Sequence, residues 1–218
     1  MRSIGILILI LVGIWVVNLT AADDPTTLRE RLKAIPFQIA YECYINANWE
    51  IFVVNADGSN PVNLTGTPRV HEHYPQVSPD RSKMCFSVDE GENRETVRSL
   101  YVMAIDGWNR KKIADYAREP FWSPDSKQIG YLPQEYPKFH VIDYYTRGMS
   151  FYDLATGTIE AHPNSTNLHH LYNPSFSPNS QWIVISGFRV IQIFPQTPAL
   201  QLKDAGQLGV QGQFHDRT

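Results

Sequence analysis

The sequence predicts an all-β protein, a β-propeller of about four four-stranded antiparallel blades, because two phrases recur along the chain. The first phrase is a proline, an aromatic or aliphatic residue and Ser-Pro-Asp or Ser-Pro-Asn, with its serine at Ser78, Ser123 and Ser177. The second phrase is a hairpin with glycine at its turn, as in IFVVNADGSNPVNLT from Ile51 and LYVMAIDGWNRKKIA from Leu100. Self-similarity with a period of 45 to 54 residues indicates a repeat architecture.

Turn chemistry predicts each element of one repeat. The proline of Ser-Pro-Asp presets φ for the second position of a type I turn, and the Asp or Asn after it bonds nearby backbone. Runs with strand composition, such as 128–132, flank this turn. Asp57-Gly58 and Asp106-Gly107 are typical of tight hairpin loops that need positive φ. Each repeat therefore predicts four antiparallel strands, and such sheets bury both faces by stacking around an axis.

Four blades follow from the second strand of each repeat. These strands are predicted at 39–43, 84–88, 129–132 and 182–186. The first blade has no Ser-Pro-Asp strand of its own, so its inner edge is open, and an open edge favours self-association. Three arrangements remain open at this point: a closed ring, part of a larger ring formed with another chain, or an incomplete propeller.

The pattern Pro-x-aromatic-Ser-Pro-Asp, alternating with Asp-Gly-x hairpins, resembles the TolB-type, WD-like β-propeller repeat from residue 39 to about residue 202. That family usually has Gly after Ser-Pro-Asp, whereas this chain has Arg81, Ser126 and Ser180. We expect the departure to be mild, because a type I turn tolerates most residues there. The resemblance implies a non-catalytic binding or scaffold protein with a protein or glycan partner on a propeller face. Similar repeats in prolyl-peptidase relatives and in metal-dependent oligogalacturonate lyases imply the alternative, a propeller fragment of an enzyme.

The N-terminus predicts export. Residues 1–22 are predicted to be a signal peptide, because one basic residue, Arg2, precedes an uncharged run and the small residues Thr20, Ala21 and Ala22. An N-terminal anchor is the alternative, since a membrane span needs about 20 residues. In either case we expect the rest of the chain to be periplasmic or secreted, with membrane contact only if the segment is uncleaved.

The rest of the chain is predicted to have three parts. Residues 23–37 are a short lead-in helix or linker, residues 38–204 are the propeller blades, and residues 205–218 are a flexible glycine-rich tail. The tail is expected to be a poor closing strand, because it carries few strand-forming apolar residues.

Composition and motifs argue against two function classes. The 218 residues include 19 Lys and Arg against 22 Asp and Glu, a net charge of -3, which argues against the basic surface that nucleic acid requires. The chain contains no Gly-x-Ser-x-Gly, no His-Glu-x-x-His and no glycine-rich phosphate loop. We therefore predict no catalytic residue, no cofactor and no metal. The repeated serines are interpreted as turn residues, and Tyr74, Trp122 and Phe176 as core or blade-packing residues.

Histidine and cysteine offer two further candidates. His71 and His73 precede one Ser-Pro-Asp strand, and His169 and His170 stand at the same place in the last repeat. Imidazoles from two such loops are metal ligands in principle. The favoured interpretation is that they are ordinary residues of polar connecting loops. The two cysteines, Cys43 and Cys85, are interpreted as buried free thiols on adjacent blades.

An aromatic-rich insertion in the third repeat is the candidate binding loop. From Pro133 to Arg147 the chain reads PQEYPKFHVIDYYTR, which is longer than its counterparts. The candidate binding residues are Tyr136, Phe139, His140, Tyr144 and Tyr145. Insertions in repeat proteins map to loops on one face, often the binding face. Packing of this insert onto the blade edge is the alternative that the sequence leaves open.

Overall fold

The computed structural model describes residues 25–134, 146–187 and 190–195, and these residues form four antiparallel sheets preceded by a helix. The helix, α1, spans Pro25–Lys33. The first sheet contains β1 (Gln38–Ile45), β2 (Asn48–Asn55) and β3 (Val62–Asn63). The prediction of an all-β fold is confirmed, and so is the three-stranded first blade.

The other three blades repeat one order of strands, in which each strand pairs with the next along the chain. The second blade contains β4 (His71–Val77), β5 (Lys83–Glu90), β6 (Val97–Ala104) and β7 (Lys111–Asp115). The third contains β8 (Ala117–Trp122), β9 (Gln128–Pro133), β10 (Ser150–Asp153) and β11 (Ile159–Ala161). The fourth contains β12 (Leu171–Phe176), β13 (Trp182–Gly187) and β14 (Val190–Pro195). Short 3₁₀ turns cover Asn93–Glu95 and Ser165–Asn167.

The Ser-Pro-Asp turn joins the first and second strands of a blade, as predicted. At the central copy, the N–H of Ser126 donates to the carbonyl of Ser123 across 2.9 Å. The hydroxyl of Ser123 donates to the Asp125 carboxylate at 2.6 Å and accepts the N–H of Gln128 at 2.9 Å. The other two copies make the same contacts. The repeated hydroxyl is therefore used to hold the turn.

The residue after this turn corrects one expectation. Arg81, Ser126 and Ser180 adopt φ values of 63°, 61° and 57°, which lie in the left-handed region. The loop is thus a type I turn followed by a left-handed residue, a pattern in which glycine is favoured. The lack of glycine here therefore costs stability, contrary to the expectation of a mild effect, because a residue with a Cβ atom is strained in this region.

Each pair of consecutive blades is joined by its own apolar cluster. Ile51 of the first blade packs with Met84 and Phe86 of the second, and equivalent clusters join the second blade to the third and the third to the fourth. Trp122 is buried in one of them, as predicted. Tyr74 lies outside the core, because its side chain is 40% exposed, but its N–H bonds the first blade through Glu42.

Both cysteines are free thiols. Cys85 is buried, and burial raises the pKa of its thiol well above the usual range. Cys43 is partly exposed, so the prediction that both are buried is wrong for Cys43.

Within the described ranges, no helix combines the length and the apolar character needed to cross a membrane. The predictions for residues 1–22 and 205–218 lie outside the described residues.

Candidate functional site

The first strands of the second, third and fourth blades lie side by side and form a groove. Strand β8 contacts both β4 and β12, whereas each of these strands belongs to a different sheet. The groove between them, here called the inner groove, has a volume of about 1070 Å³. Five prolines and five aromatic side chains line it. A concave, mainly apolar surface with a few polar groups is the usual form of a ligand site.

A β-bulge recurs at the same place in all three inner strands. The register slips beside Tyr74, Glu119 and Asn173, and these residues have φ values of 55°, 47° and 51°. Each precedes a proline. A residue before proline normally has extended backbone, so the sequence predicts the opposite conformation. A bulge changes the direction of the side chain at its extra residue, and all three of these residues line the inner groove.

Glu119 is the single carboxylate among the residues that line the described groove. Burial raises the pKa of Glu119, although the Asn173 N–H, which donates to Oε2, and the positive charges of Arg118 and Arg98 oppose the change. The carboxyl group is therefore desolvated within a mainly apolar surface. Such a group favours a ligand that brings a positive charge or a hydrogen-bond donor.

Two further hydrogen bonds hold the groove in shape by joining neighbouring blades. The indole N–H of Trp122 donates to the carbonyl of Gln76 at 2.8 Å. The N–H of Tyr74 donates to the carboxylate of Glu42, in β1, at 2.9 Å. The first and third blades thus each bond a groove residue of the second blade, so the shape of the groove depends on the packing of neighbouring blades.

The histidines before the first Ser-Pro-Asp turn correct another expectation. His71 and His73 belong to strand β4 and are not loop residues. His73 contacts the carboxylate of Glu42 at 3.1 Å, and the N–H of Trp49 donates to Nδ1 of His71 at 3.2 Å. They pack with Tyr44 and Trp49 in a surface cluster of rings, here called the rim patch. Both histidines therefore join the first two blades.

The second histidine pair lies on the fourth blade, immediately before β12. His169 forms an isolated bridge with Arg147, and the N–H of His170 donates to the carbonyl of Thr146 at 2.9 Å. In the described part of the chain, no three His, Cys, Asp or Glu side chains are grouped as a metal would require.

A buried carboxylate cluster between the first two blades was not predicted. Glu72 is fully buried and contacts the Thr67 hydroxyl and, at 2.8 Å, the Arg110 guanidinium. Burial raises the pKa of Glu72, and the nearby Glu50 carboxylate raises it further. Glu50 in turn accepts hydrogen bonds from Asn48 and from the Thr65 hydroxyl. The guanidinium of Arg110 also packs over the ring of Phe86 in this interface.

Most of the predicted binding loop, residues 135–145, lies outside the described residues, and Gln134 and Thr146 form an isolated bridge at its base. Its five aromatic and histidine candidates, Tyr136, Phe139, His140, Tyr144 and Tyr145, fall between residues 135 and 145. The groove residues Glu119 and Asn173 were not proposed from the sequence. The available signal was the residue before the first proline of the repeated phrase, which differs in each copy.

Comparisons with known proteins support the fold. No protein-family model and no curated protein sequence matches the chain. The structure is similar to that of TolB from Acinetobacter baumannii, with a TM-score of 0.54 and 16% identity over 72% of this chain and 38% of that one. It is also similar to a putative TolB from Agrobacterium tumefaciens, with a TM-score of 0.53 and 16% identity over 72% of this chain and 57% of that one.

These two matches confirm the β-propeller fold and the TolB-like resemblance that the repeats predicted. The chain spans 38% and 57% of the lengths of the two proteins. At 16% identity the likeness concerns the fold alone, because one fold hosts many unrelated functions.

Proposed function

We propose that this chain is an exported, non-catalytic β-propeller that binds an extended polypeptide segment of a partner protein in the inner groove. The observation that carries the proposal is the row of three bulged residues, Tyr74, Glu119 and Asn173, which line the inner groove from adjacent strands. The lining strands β4, β8 and β12 are each the edge of a sheet, but a bulge and a proline interrupt every one of these edges. Proline and aromatic walls therefore suit a segment without regular structure that binds through its side chains.

The carboxylate in the groove indicates which ligand groups the groove favours. The pKa of Glu119 is raised by burial, so a basic side chain or a free amino terminus placed beside it restores the solvation that the carboxylate has lost. A charge-assisted hydrogen bond contributes roughly 1.5–3 kcal/mol. Because the groove is open to water, we expect only about 1 kcal/mol here.

The non-catalytic part of the proposal is supported by what the repeated serines do. The hydroxyl of Ser123 is buried and is engaged by Asp125 and Gln128 within the turn. Ser78 and Ser177 make the same contacts in their own blades. A hydroxyl that holds a turn in three equivalent places is explained by the architecture. Export is supported by the sequence of residues 1–22.

The test uses three synthetic nonapeptides with one extended, apolar, proline-containing host sequence and a central Lys, Gln or Glu. We expect the Lys peptide to bind the full chain about fivefold more tightly than the Gln peptide and the Glu peptide to bind most weakly, from the energy above. Fluorescence anisotropy of labelled peptides measures this order. Glu119→Gln retains an oxygen that can accept the Asn173 N–H, so it should remove the preference for Lys without unfolding the protein.

Glu160→Gln is the matched control, because Glu160 is exposed on β11 and does not line the groove. It should leave the order of the three peptides unchanged. Absence of binding by all three peptides at millimolar concentration would contradict the groove as a polypeptide site. Equal binding of all three would contradict the role of Glu119 alone.

The rim patch supports a second candidate function, the binding of a glycan. Tyr44 and Trp49 are 58% and 37% exposed, their ring centroids are 5.2 Å apart, and the Glu42 carboxylate lies in the same strand as Tyr44. Exposed rings beside a carboxylate can stack on the apolar face of a sugar and accept hydrogen bonds from its hydroxyls.

Calorimetric titration with a cello-oligosaccharide tests the glycan site. Binding to the parent that Tyr44→Ala and Trp49→Ala abolish would support it. Trp108→Ala removes a ring that is more exposed than either, at the tip of another hairpin, and should change nothing. If the parent releases no heat at millimolar sugar, the glycan function is wrong.

A further inference from the structure

The two sides of each sheet have different neighbours within the blade stack. We call the side that packs on the preceding blade the front face, and the side that packs on the following blade the rear face. In the second blade, Met84 and Phe86 lie on the front face and contact Ile51 of the first blade. Cys85 and Val102 lie on its rear face and contact Trp122 of the third blade. Every described interface therefore joins one rear face to one front face.

The front face of the first blade repeats the front face of the second. The cross-strand pair Ile39 and Val54 of the first blade stands at the position of the pair Met84 and Met103 in the second blade. The next aromatic pair is conserved in position: the rings of Tyr41 and Phe52 are 5.9 Å apart, and those of Phe86 and Tyr101 are 6.0 Å apart. The first blade thus carries the side chains of a face that is built for burial.

Burial at equivalent positions shows that the front face of the first blade is uncovered within the described chain. Met84, Ile129 and Ile183 occupy one position in three blades and are each fully buried, whereas Ile39 at the same position is 52% exposed. Phe86 is fully buried, but Tyr41 and Phe52 are partly exposed. Apolar side chains of this kind and spacing on an open sheet face mark an interaction surface.

The rear face of the fourth blade is uncovered at the other end of the stack. Val184 occupies the position of Cys85, which is fully buried, yet Val184 is 40% exposed. Trp182, on the same side of β13, is also 40% exposed. The described chain therefore presents one open front face and one open rear face, the two kinds of surface that pack together at each of its own interfaces.

We propose that a second copy of this chain packs its fourth-blade rear face, at Trp182 and Val184, against the first-blade front face, at Ile39, Tyr41 and Phe52. The contact is heterologous, so repeating it closes a ring of copies or continues as a filament. It differs from pairing at a strand edge, because side chains of the faces form it and no new strand ladder is needed. Closure of a ring would also surround the inner groove with blades on all sides.

The experiment measures the mass of the full chain by sedimentation velocity over a range of concentrations. A non-ionic detergent is present throughout, because the apolar segment 4–17 is shared by every variant. Ile39→Asp and Val184→Asp each place a charge in one face, and each alone should weaken association about tenfold or more. Ile159→Asp is the control, since Ile159 is an exposed apolar residue on β11 outside both faces.

Mixing the two variants tests the direction of the contact. Ile39→Asp keeps an intact rear face and Val184→Asp keeps an intact front face, so an equimolar mixture should form a two-copy complex that neither variant forms alone. Circular dichroism confirms that each variant is folded before mixing.

Three outcomes would overturn the proposal. A monomeric parent at high concentration would show that no second copy binds. Loss of association with Ile39→Asp but not with Val184→Asp would show a front-to-front contact. A lower melting temperature for Ile39→Asp than for Ile159→Asp, with no change in mass, would show that a segment of the same chain covers the front face.

Discussion

Replacing Ser180 by glycine should stabilise the protein, because Ser180 has a φ of 57° directly after a Ser-Pro-Asn turn. The left-handed conformation costs a residue with a Cβ atom roughly 1–2 kcal/mol. Glycine offsets part of this gain by losing roughly 0.5–1 kcal/mol of additional chain entropy on folding. The Ser180 hydroxyl has no hydrogen-bond partner among the described residues, so nothing else is lost. The expected net gain is about 0.5–1 kcal/mol.

The equivalent positions in the other two blades, Ser126 and Arg81, supply matched controls for which we expect smaller changes in stability. The Ser126 hydroxyl accepts the N–H of Asp80 at 3.0 Å and so joins two blades. Loss of that bond costs roughly 0.5–1.5 kcal/mol, which cancels the gain at Ser126→Gly. The guanidinium of Arg81 lies 5.3 Å from the ring centroid of Phe37, a contact of roughly 0.5–1 kcal/mol at an exposed site. Arg81→Gly should therefore show a gain between the other two.

The assay is urea unfolding followed by circular dichroism, with the midpoint compared at a constant slope. A gain of 1 kcal/mol also raises the melting temperature by about 2–4 °C in a domain of this size. The expected order of stability is Ser180→Gly, then Arg81→Gly, then Ser126→Gly. Destabilisation by Ser180→Gly, or an equal gain at all three positions, would refute the assignment of strain to this turn position.

Two other changes at the same turns have defined outcomes. Ser123→Ala removes a buried hydroxyl that both donates to Asp125 and accepts from Gln128, and we expect a loss of about 2 kcal/mol in urea unfolding; a loss below about 0.5 kcal/mol would contradict this role. The Ser78 hydroxyl and the N–H and hydroxyl of Ser82 lower the pKa of Asp80 to about 2. Because the folded-state pKa lies below the ordinary value of 3.8 for an aspartate, the stabilisation is present above that pH and is lost as the pH falls towards 2. Asp80→Asn should flatten this part of the pH profile of unfolding, and an unchanged profile would show that the carboxylate does not contribute.

The repeated phrase predicted the parts of the fold that local chemistry decides. Ser123, Pro124 and Asp125 form a turn through contacts among themselves and with Gln128, only a few residues away. The same reasoning placed glycine at positive φ in the hairpin loop of Gly107, where φ is 90°. Such contacts are close in sequence, so their outcome can be worked out from the residues alone.

The errors concern residues whose neighbours come from another blade. His73 was assigned to a polar loop because its sequence neighbours are polar, but Glu42 of the first blade contacts it and it lies in a strand. Glu72 looks like an exposed acid in the sequence, yet Thr67 and Arg110 make its burial tolerable. The packing of one blade on the next determines these environments. The sequence pattern of a single repeat does not show which residues the neighbouring blade places against it.

The three residues at the bulge of the inner strands differ in how well they tolerate a positive φ. Asn tolerates the left-handed region better than most residues, so Asn173 fits a purely structural choice. Tyr74 and Glu119 do not, and each adds strain of roughly 1–3 kcal/mol. Part of this is offset at Glu119, whose Oε2 accepts the Asn173 N–H. Glu119 thus has a structural role at the bulge of the next blade, the same role that Glu42 has at the Tyr74 N–H. Recognition of a basic group is a second role that we propose for the same carboxylate, whose pKa is raised by burial, and the series of Lys, Gln and Glu peptides separates the two roles.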